Sequence, residues 1–155
     1  MVLNAESKKD LDNFRTYILV EKNFSKHTAK AYCSDVLAYL IWLGDECCEG
    51  ANPAKLRDYL HYMQKFNYRK TTVARKIASI RTFYKFLHRE QKIETNPTEN
   101  LISPKRPKSL PKFLSTEEVE EILSGINMDT PAGYRNRAIL ELLWASGMRV
   151  SELSG

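Results

Sequence analysis

The sequence predicts an all-α protein: a four-helix N-terminal bundle, a proline-rich connection, and a shorter helical segment after it. Three observations carry this. Apolar residues recur at helical spacing in four successive segments before residue 95. No stretch is rich in β-branched residues with period-two alternation. Pro97, Pro104, Pro107 and Pro111 then crowd a short stretch that cannot continue as helix.

Each element has its own signal. Leu11, Phe14 and Ile18, with Tyr17 beside them, mark an amphipathic first helix. Ser25 is a natural N-cap for the second, with Phe24 in the staple position before it. Tyr32, Val36, Tyr39, Leu40 and Leu43 form its apolar stripe, and Gly44 follows where a C-terminal cap belongs. Asn52-Pro53 starts the third helix, because Asn caps well and Pro at the first position lacks only an orphan N–H. Its inner face is Leu56, Tyr59, Leu60 and Met63. The fourth begins near Thr71 or Thr72 and turns Val73, Ile77, Ile80, Tyr84 and Leu87 inward. Four such helices can bury one shared core. Residues 1–95 are therefore expected as one domain and 96–112 as a stiff, basic linker. Residues 113–155 are expected as the truncated start of a second domain. There Ser115-Thr116-Glu117-Glu118 reads as a capping box with Leu114 and Val119 as its staple, and Thr130-Pro131 starts a further helix. From Ala138 to Ala145 apolar residues lie almost all round, so this helix needs covering structure that so short a segment does not supply.

Composition excludes several classes. The chain is 43% hydrophobic and 28% charged, which suits a globular fold and not disorder. No apolar run reaches the length of about 18 residues that reads as a membrane span. Charges at Glu6, Lys8, Lys9, Asp10 and Asp12 interrupt any secretory leader, so a cytoplasmic location is expected. Cys33, Cys47 and Cys48 form no C-x-x-C pair, so reduced thiols are expected and a metal site is not.

Charge is unevenly placed. Residues 1–112 hold 21 Lys and Arg against 12 Asp and Glu, and the remainder is acidic. Lys65 to Arg89 holds eight cations and no acid. On a helical wheel of the fourth helix, Arg75, Thr82 and Arg89 fall opposite the core residues, flanked by Ala78, Ser79 and Lys85. A basic face with a small centre suits a nucleic-acid groove; the plain alternative is a solvated charged surface. The candidate duplex-DNA contacts in this region are Arg69, Lys70, Arg75, Lys76, Ser79, Arg81, Thr82, Lys85 and Arg89. Engagement of four to six cations implies a slope of log K against log salt of roughly −4 to −5. A lipid surface fits less well, because the helix's apolar face is needed for the core.

The segment Ala145-Ser146-Gly147-Met148-Arg149-Val150-Ser151-Glu152-Leu153 resembles the first motif box of the tyrosine recombinases, in the form A-[ST]-G-[LM]-R-[VI]-S-E-L of the Xer type. Ser25-x-x-Thr28-x-x-x-Tyr32-x-x-Asp35, the run Thr71–Tyr84, and Asn96-Pro97 through Leu110-Pro111 resemble the same family's N-terminal part. The resemblance implies a SAM-like core-binding bundle followed by the helical start of the catalytic domain. It implies strand cleavage by a tyrosine nucleophile, a 3′-phosphotyrosyl intermediate and religation, with no cofactor or metal. The complete enzyme would act as a homo- or hetero-tetramer on double-stranded DNA. Arg149 matches the first catalytic arginine, and Glu152 is its candidate support. Without the resemblance, Arg149 would read as a surface salt bridge and Glu152 as an acid favouring a helix N-terminus. Thr28, Tyr32 and Asp35 match family positions; Tyr32 also lies on the core stripe and is read as mainly core, and the resemblance makes Thr28 a further candidate DNA-phosphate contact. The family's R-D-R-A string appears here with Asn136 in place of the Asp, which removes any ion pair that acid would make.

The family's lysine, H-x-x-R box and nucleophilic tyrosine are not found after Arg149, so this chain alone is expected neither to cleave nor to religate DNA. Two other readings stay open at this level: a stand-alone DNA-binding module without chemistry, and a helical adaptor whose basic face meets an acidic protein.

Overall fold

The structure is a computed structural model that describes residues 3–44, 52–102 and 113–155. Every element among them is helical. The chain divides into two compact units, Met1–Lys108 and Ser109–Gly155.

The first unit opens with α1 (Ala5–Thr16), capped by Asn4, whose side chain accepts the Ser7 N–H at 2.7 Å. A single π-helical turn, Tyr17–Glu21, prolongs it. The wider turn brings both Tyr17 and Ile18 into the core, so the expected first helix ends in a bulge. α2 (Lys26–Leu43) is capped as expected: Ser25 Oγ accepts the Thr28 N–H at 3.2 Å. Phe24 packs edge-on against Tyr32 at 5.5 Å between ring centroids. Gly44 closes α2 at φ 73°, a conformation that suits a residue without Cβ. In α3 (Pro53–Lys65), Asn52 Oδ1 accepts the N–H groups of Ala54 and Lys55 at 2.9 and 3.0 Å.

α4 (Lys70–Arg89) begins at Lys70, slightly before the expected Thr71 or Thr72. It is the axis of the core. Val73, Ile77, Ile80, Tyr84 and Leu87 are buried as expected. Ala74, Phe83 and Phe86 are buried as well, because α1 and α2 both pack against α4. Phe86 lies 5.8 Å from the Phe14 ring and 5.1 Å from Tyr17, so it packs against α1 and the π turn. The hydroxyls of Tyr39 and Tyr84 meet at 2.9 Å inside the bundle, so two buried polar groups satisfy each other.

The segment after α4 folds back onto the bundle. Lys92 pairs with the buried Asp10, Ile93 and Thr98 are buried, and Leu101 packs on the core. Asn96 Oδ1 accepts from Thr98 N at 3.0 Å and Thr98 Oγ1 at 2.7 Å. The expected linker thus starts as part of the first unit. Its Pro104, Pro107 and Pro111, like Cys47 and Cys48, lie outside the described residues.

The second unit holds α5 (Thr116–Ser124), α6 (Pro131–Ser146) and α7 (Val150–Leu153). The capping box forms: Ser115 N–H donates to Glu118 Oε2 at 2.8 Å, and Glu118 N–H to Ser115 Oγ at 3.3 Å. Leu114 stays exposed, whereas Val119 is buried. Thr130 Oγ1 caps α6 by accepting the Gly133 N–H at 3.1 Å. Gly133 admits nothing larger, since a Cβ there would lie 1.8 Å from the Asn127 carbonyl oxygen. Ile139, Leu140, Leu142 and Trp144 of α6 are all exposed by more than a third, as its all-round apolar sequence leads one to expect of a segment this short.

Candidate nucleic-acid interface

The acid-free run from Lys65 to Arg89 is acid-free only in sequence. In three dimensions, α2 and the π turn supply carboxylates to it. Asp35 of α2 is buried. It sits across from α4, where Arg75 Nη1 donates to Oδ2, Lys76 Nζ lies 3.2 Å from Oδ1, and the Ser79 hydroxyl donates to Oδ2 at 3.4 Å. Three of the expected surface contacts therefore converge on one inward acid. Ser79 is fully buried, which corrects its expected place on the outer face, and Lys76, expected as a DNA contact, is nearly so. The cause is direct: a buried carboxylate needs donors, and α4 provides them. Lys76 Nζ also lies 5.8 Å from the Tyr68 ring centroid. Arg75 remains half-exposed.

Further along α4 the cations differ. Arg81 Nη2 donates to the Leu101 carbonyl at 2.6 Å, holding the returning segment in place. Arg89 is bonded to Glu21 through two nitrogens and to Glu90 at 2.8 Å, with its guanidinium 4.3 Å from the Tyr17 ring centroid. Those hydrogen bonds hold the Glu21 carboxyl below its ordinary range. Arg89 is thus committed to the fold, although exposed. Thr82 is half-buried and its hydroxyl donates to the Ala78 carbonyl at 2.9 Å. Lys85 is exposed and forms no ion pair among the described residues. Arg75, Ala78, Thr82 and Lys85 run along one face of α4 at steps of three and four residues.

Arg69 and Lys70 are exposed at the start of α4, where no side chain caps the helix. The first-turn N–H groups and two cations share that end, an arrangement favourable to a phosphate. Thr28 is half-buried in the first turn of α2, its hydroxyl 2.9 Å from that of Ser25. The sequence reading placed Asp35 in the family-like string with Thr28 and Tyr32 but gave it no role. Its signal was a single acid beside the apolar stripe of α2, three residues after Tyr32.

In the second unit, Gly147 ends α6 in the left-handed conformation (φ 65°, ψ 12°), its N–H bonded to the Leu143 carbonyl at 2.9 Å. The chain then turns and Arg149 caps α7 with an 81% exposed side chain. Glu152 does two things at once. One carboxylate oxygen accepts the Arg149 backbone N–H at 2.8 Å, and the other accepts from Arg149 Nη1 at 2.9 Å. The backbone bond and then the guanidinium hold its carboxyl below the ordinary value of 4.5. Both sequence readings of Glu152, helix-start acid and arginine partner, describe the same carboxylate. Asn136 Oδ1 accepts from Arg135 Nε at 3.4 Å and Nη2 at 3.2 Å, so the guanidinium meets an uncharged amide oxygen here instead of a carboxylate.

Residues 11–91 match the family described as phage integrase, N-terminal SAM-like domain. The chain belongs to the phage integrase, or tyrosine recombinase, family. Among relatives of this family, tyrosine recombinase XerC of Staphylococcus haemolyticus is 40% identical over 142 residues, covering 90% of this chain and 48% of its own length. XerC of Bacillus licheniformis is 38% identical over 152 residues, covering 96% of this chain and 50% of its own. The crystal structure of XerA recombinase aligns with a TM-score of 0.53 and 28% identity, over 95% of this chain and 49% of that one. The chain spans about half the length of these recombinases.

Proposed function

We propose that this chain is the DNA-binding and first catalytic portion of a Xer-type site-specific recombinase, acting on double-stranded DNA in the cytoplasm. The observation that carries it is the placement of Arg149 within a matching family box: exposed, at a helix start, with its fork held by Glu152. A guanidinium keeps its charge at any working pH and pairs two phosphate oxygens, so it suits a phosphoryl group that gains charge during transfer. Residues 1–95 would grip the duplex, with Arg75 and Lys85 on the outer stripe of α4 and Arg69 and Lys70 at its start. Residues 96–112 would connect to the catalytic segment from 113 onward. The complete enzyme would cleave and rejoin strands through a phosphotyrosyl link, as a tetramer on DNA, and the apolar faces of α6 would be covered by its remaining part.

A nicked suicide duplex tests this. The 155 residues are expected to shift the duplex in a gel and to form no covalent adduct. A chain that ignored the duplex at low salt would contradict the proposal, and a phosphotyrosyl adduct would contradict the assignment of the nucleophile to other residues.

A further inference from the structure

We propose that Asp35 is a positioning residue that anchors Arg75 from behind, so that the outer edge of the guanidinium meets a DNA backbone phosphate. This rests on the DNA-binding reading above and goes beyond it by assigning work to an acid that never touches the nucleic acid.

Asp35 is only 2% exposed, and it brings one negative charge against two positive ones. An isolated buried carboxylate is costly, and among the described residues the donors to this one, Arg75, Lys76 and Ser79, all lie on α4. The two cations it receives are not equivalent. The Lys76 side chain is 10% exposed and spent on the interior, whereas that of Arg75 is 42% exposed. Arg75 gives Nη1 to Asp35, and its other donors have no protein partner among the described residues. A fork tethered by one nitrogen loses rotamer freedom yet keeps donors for a planar, two-bonded partner, which a phosphate supplies. The cluster keeps a net charge of +1 after Asp35 is counted, so the acid orients the site without neutralising it. Ala78 and Thr82 continue the same face towards Lys85 with little bulk, leaving room for a sugar–phosphate backbone.

A merely structural ion pair and a positioning one differ in sign. Removing an acid from a DNA-binding surface strengthens attraction to a polyanion, so Asp35→Asn would tighten binding if Asp35 served the fold alone. If Asp35 positions Arg75, the same substitution weakens binding. The experiment is fluorescence anisotropy of the full chain with a short mixed-sequence duplex at several salt concentrations, with circular dichroism checking that each variant is folded. Expected are a loss of about 3- to 10-fold for Asp35→Asn and a salt slope shallower by about 0.9. Arg75→Ala is expected to lose a comparable amount, and the double variant no more than Arg75→Ala, since the two act as a unit. Should Asp35→Asn fail to fold, Arg75→Lys decides: it keeps the charge and loses the tethered fork, so a several-fold loss supports the inference and unchanged affinity overturns it. A folded Asp35→Asn variant that binds as well as the wild type, or better, also overturns it while leaving DNA binding intact. A wild type that ignores the duplex overturns the DNA reading and this inference together.

Discussion

Phe14 shows what a single side chain does in this bundle. It is fully buried, with its ring edge-on to Phe83 at 5.2 Å and near Phe86 at 5.8 Å, so it joins α1 to α4. Phe14→Ala removes that ring and leaves a cavity, and is expected to cost about 3–5 kcal/mol, read as a lower urea midpoint with unchanged slope. Glu152 gives a second expectation, this time in pH. Its carboxyl is held low in the folded state, first by the Arg149 backbone N–H and then by the guanidinium. A lowered folded value contributes above the unfolded one and is lost as pH falls through the folded one. The tether on Arg149 should therefore persist at neutral pH and release only below pH 4.5, the ordinary value for this carboxyl. Carbon-13 NMR of the Glu152 carboxyl should show a midpoint below 4.5, and Arg149→Ala should raise it. A midpoint at or above that value would contradict the tether. Apolar residues were the legible ones at this scale: Phe14, Val36, Met63 and Ile77 follow from spacing alone. Asp35 was not, because a lone acid beside an apolar stripe reads the same whether or not a neighbouring helix brings it donors.

Helices are where local chemistry decides most. Ser25, Asn52, Ser115 and Thr130 each cap the helix that the sequence assigns to them, because a cap involves only neighbours in the chain. The π turn at Tyr17–Glu21 was not legible, since it depends on where Tyr17 and Ile18 meet α4. The outer face of α4 was half legible. A wheel separates two faces correctly only when a helix has one neighbour. α4 has α1 on one flank and α2 on another, so Phe86, Lys76 and Ser79 are drawn in. The turn between α5 and α6 yields a prediction at this scale. Gly133 lies where a Cβ would overlap the Asn127 carbonyl. Gly133→Ala is expected to displace the Asn127–Thr130 turn and break the Thr130 cap. Hydrogen exchange at residue 133 should then accelerate by at least about tenfold, while amides of α4 exchange as before. Unchanged protection at that amide would show that the turn yields without cost.

Across the whole molecule, net charge and its distribution say different things. The sequence concentrates cations before residue 112, and the fold then pairs several of them internally: Lys76 with Asp35, Arg89 with Glu21 and Glu90, and Lys92 with Asp10. Fewer cations remain to meet phosphates than the run from Lys65 to Arg89 suggests. Arg81 and Arg89 are also partly or fully exposed but are bonded to the Leu101 carbonyl and to Glu21 and Glu90, so Arg69, Lys70, Arg75 and Lys85 are the cations near α4 that keep donors for phosphate. Three or four phosphate contacts imply a salt slope of about −3 to −4, shallower than the roughly −4 to −5 expected from sequence. Family membership is independent of that count, so the electrostatic reading stands or falls by its own measurement. That measurement is the affinity of the full chain for a mixed-sequence duplex as salt is varied, for the wild type and for Arg75→Ala with Lys85→Ala. The wild type should give a slope of about −3 to −4, and the double variant one shallower by about 2 with weaker binding at every salt concentration. A wild-type slope near zero, or a double variant that binds as tightly as the wild type at low salt, would contradict DNA contact through the outer stripe of α4.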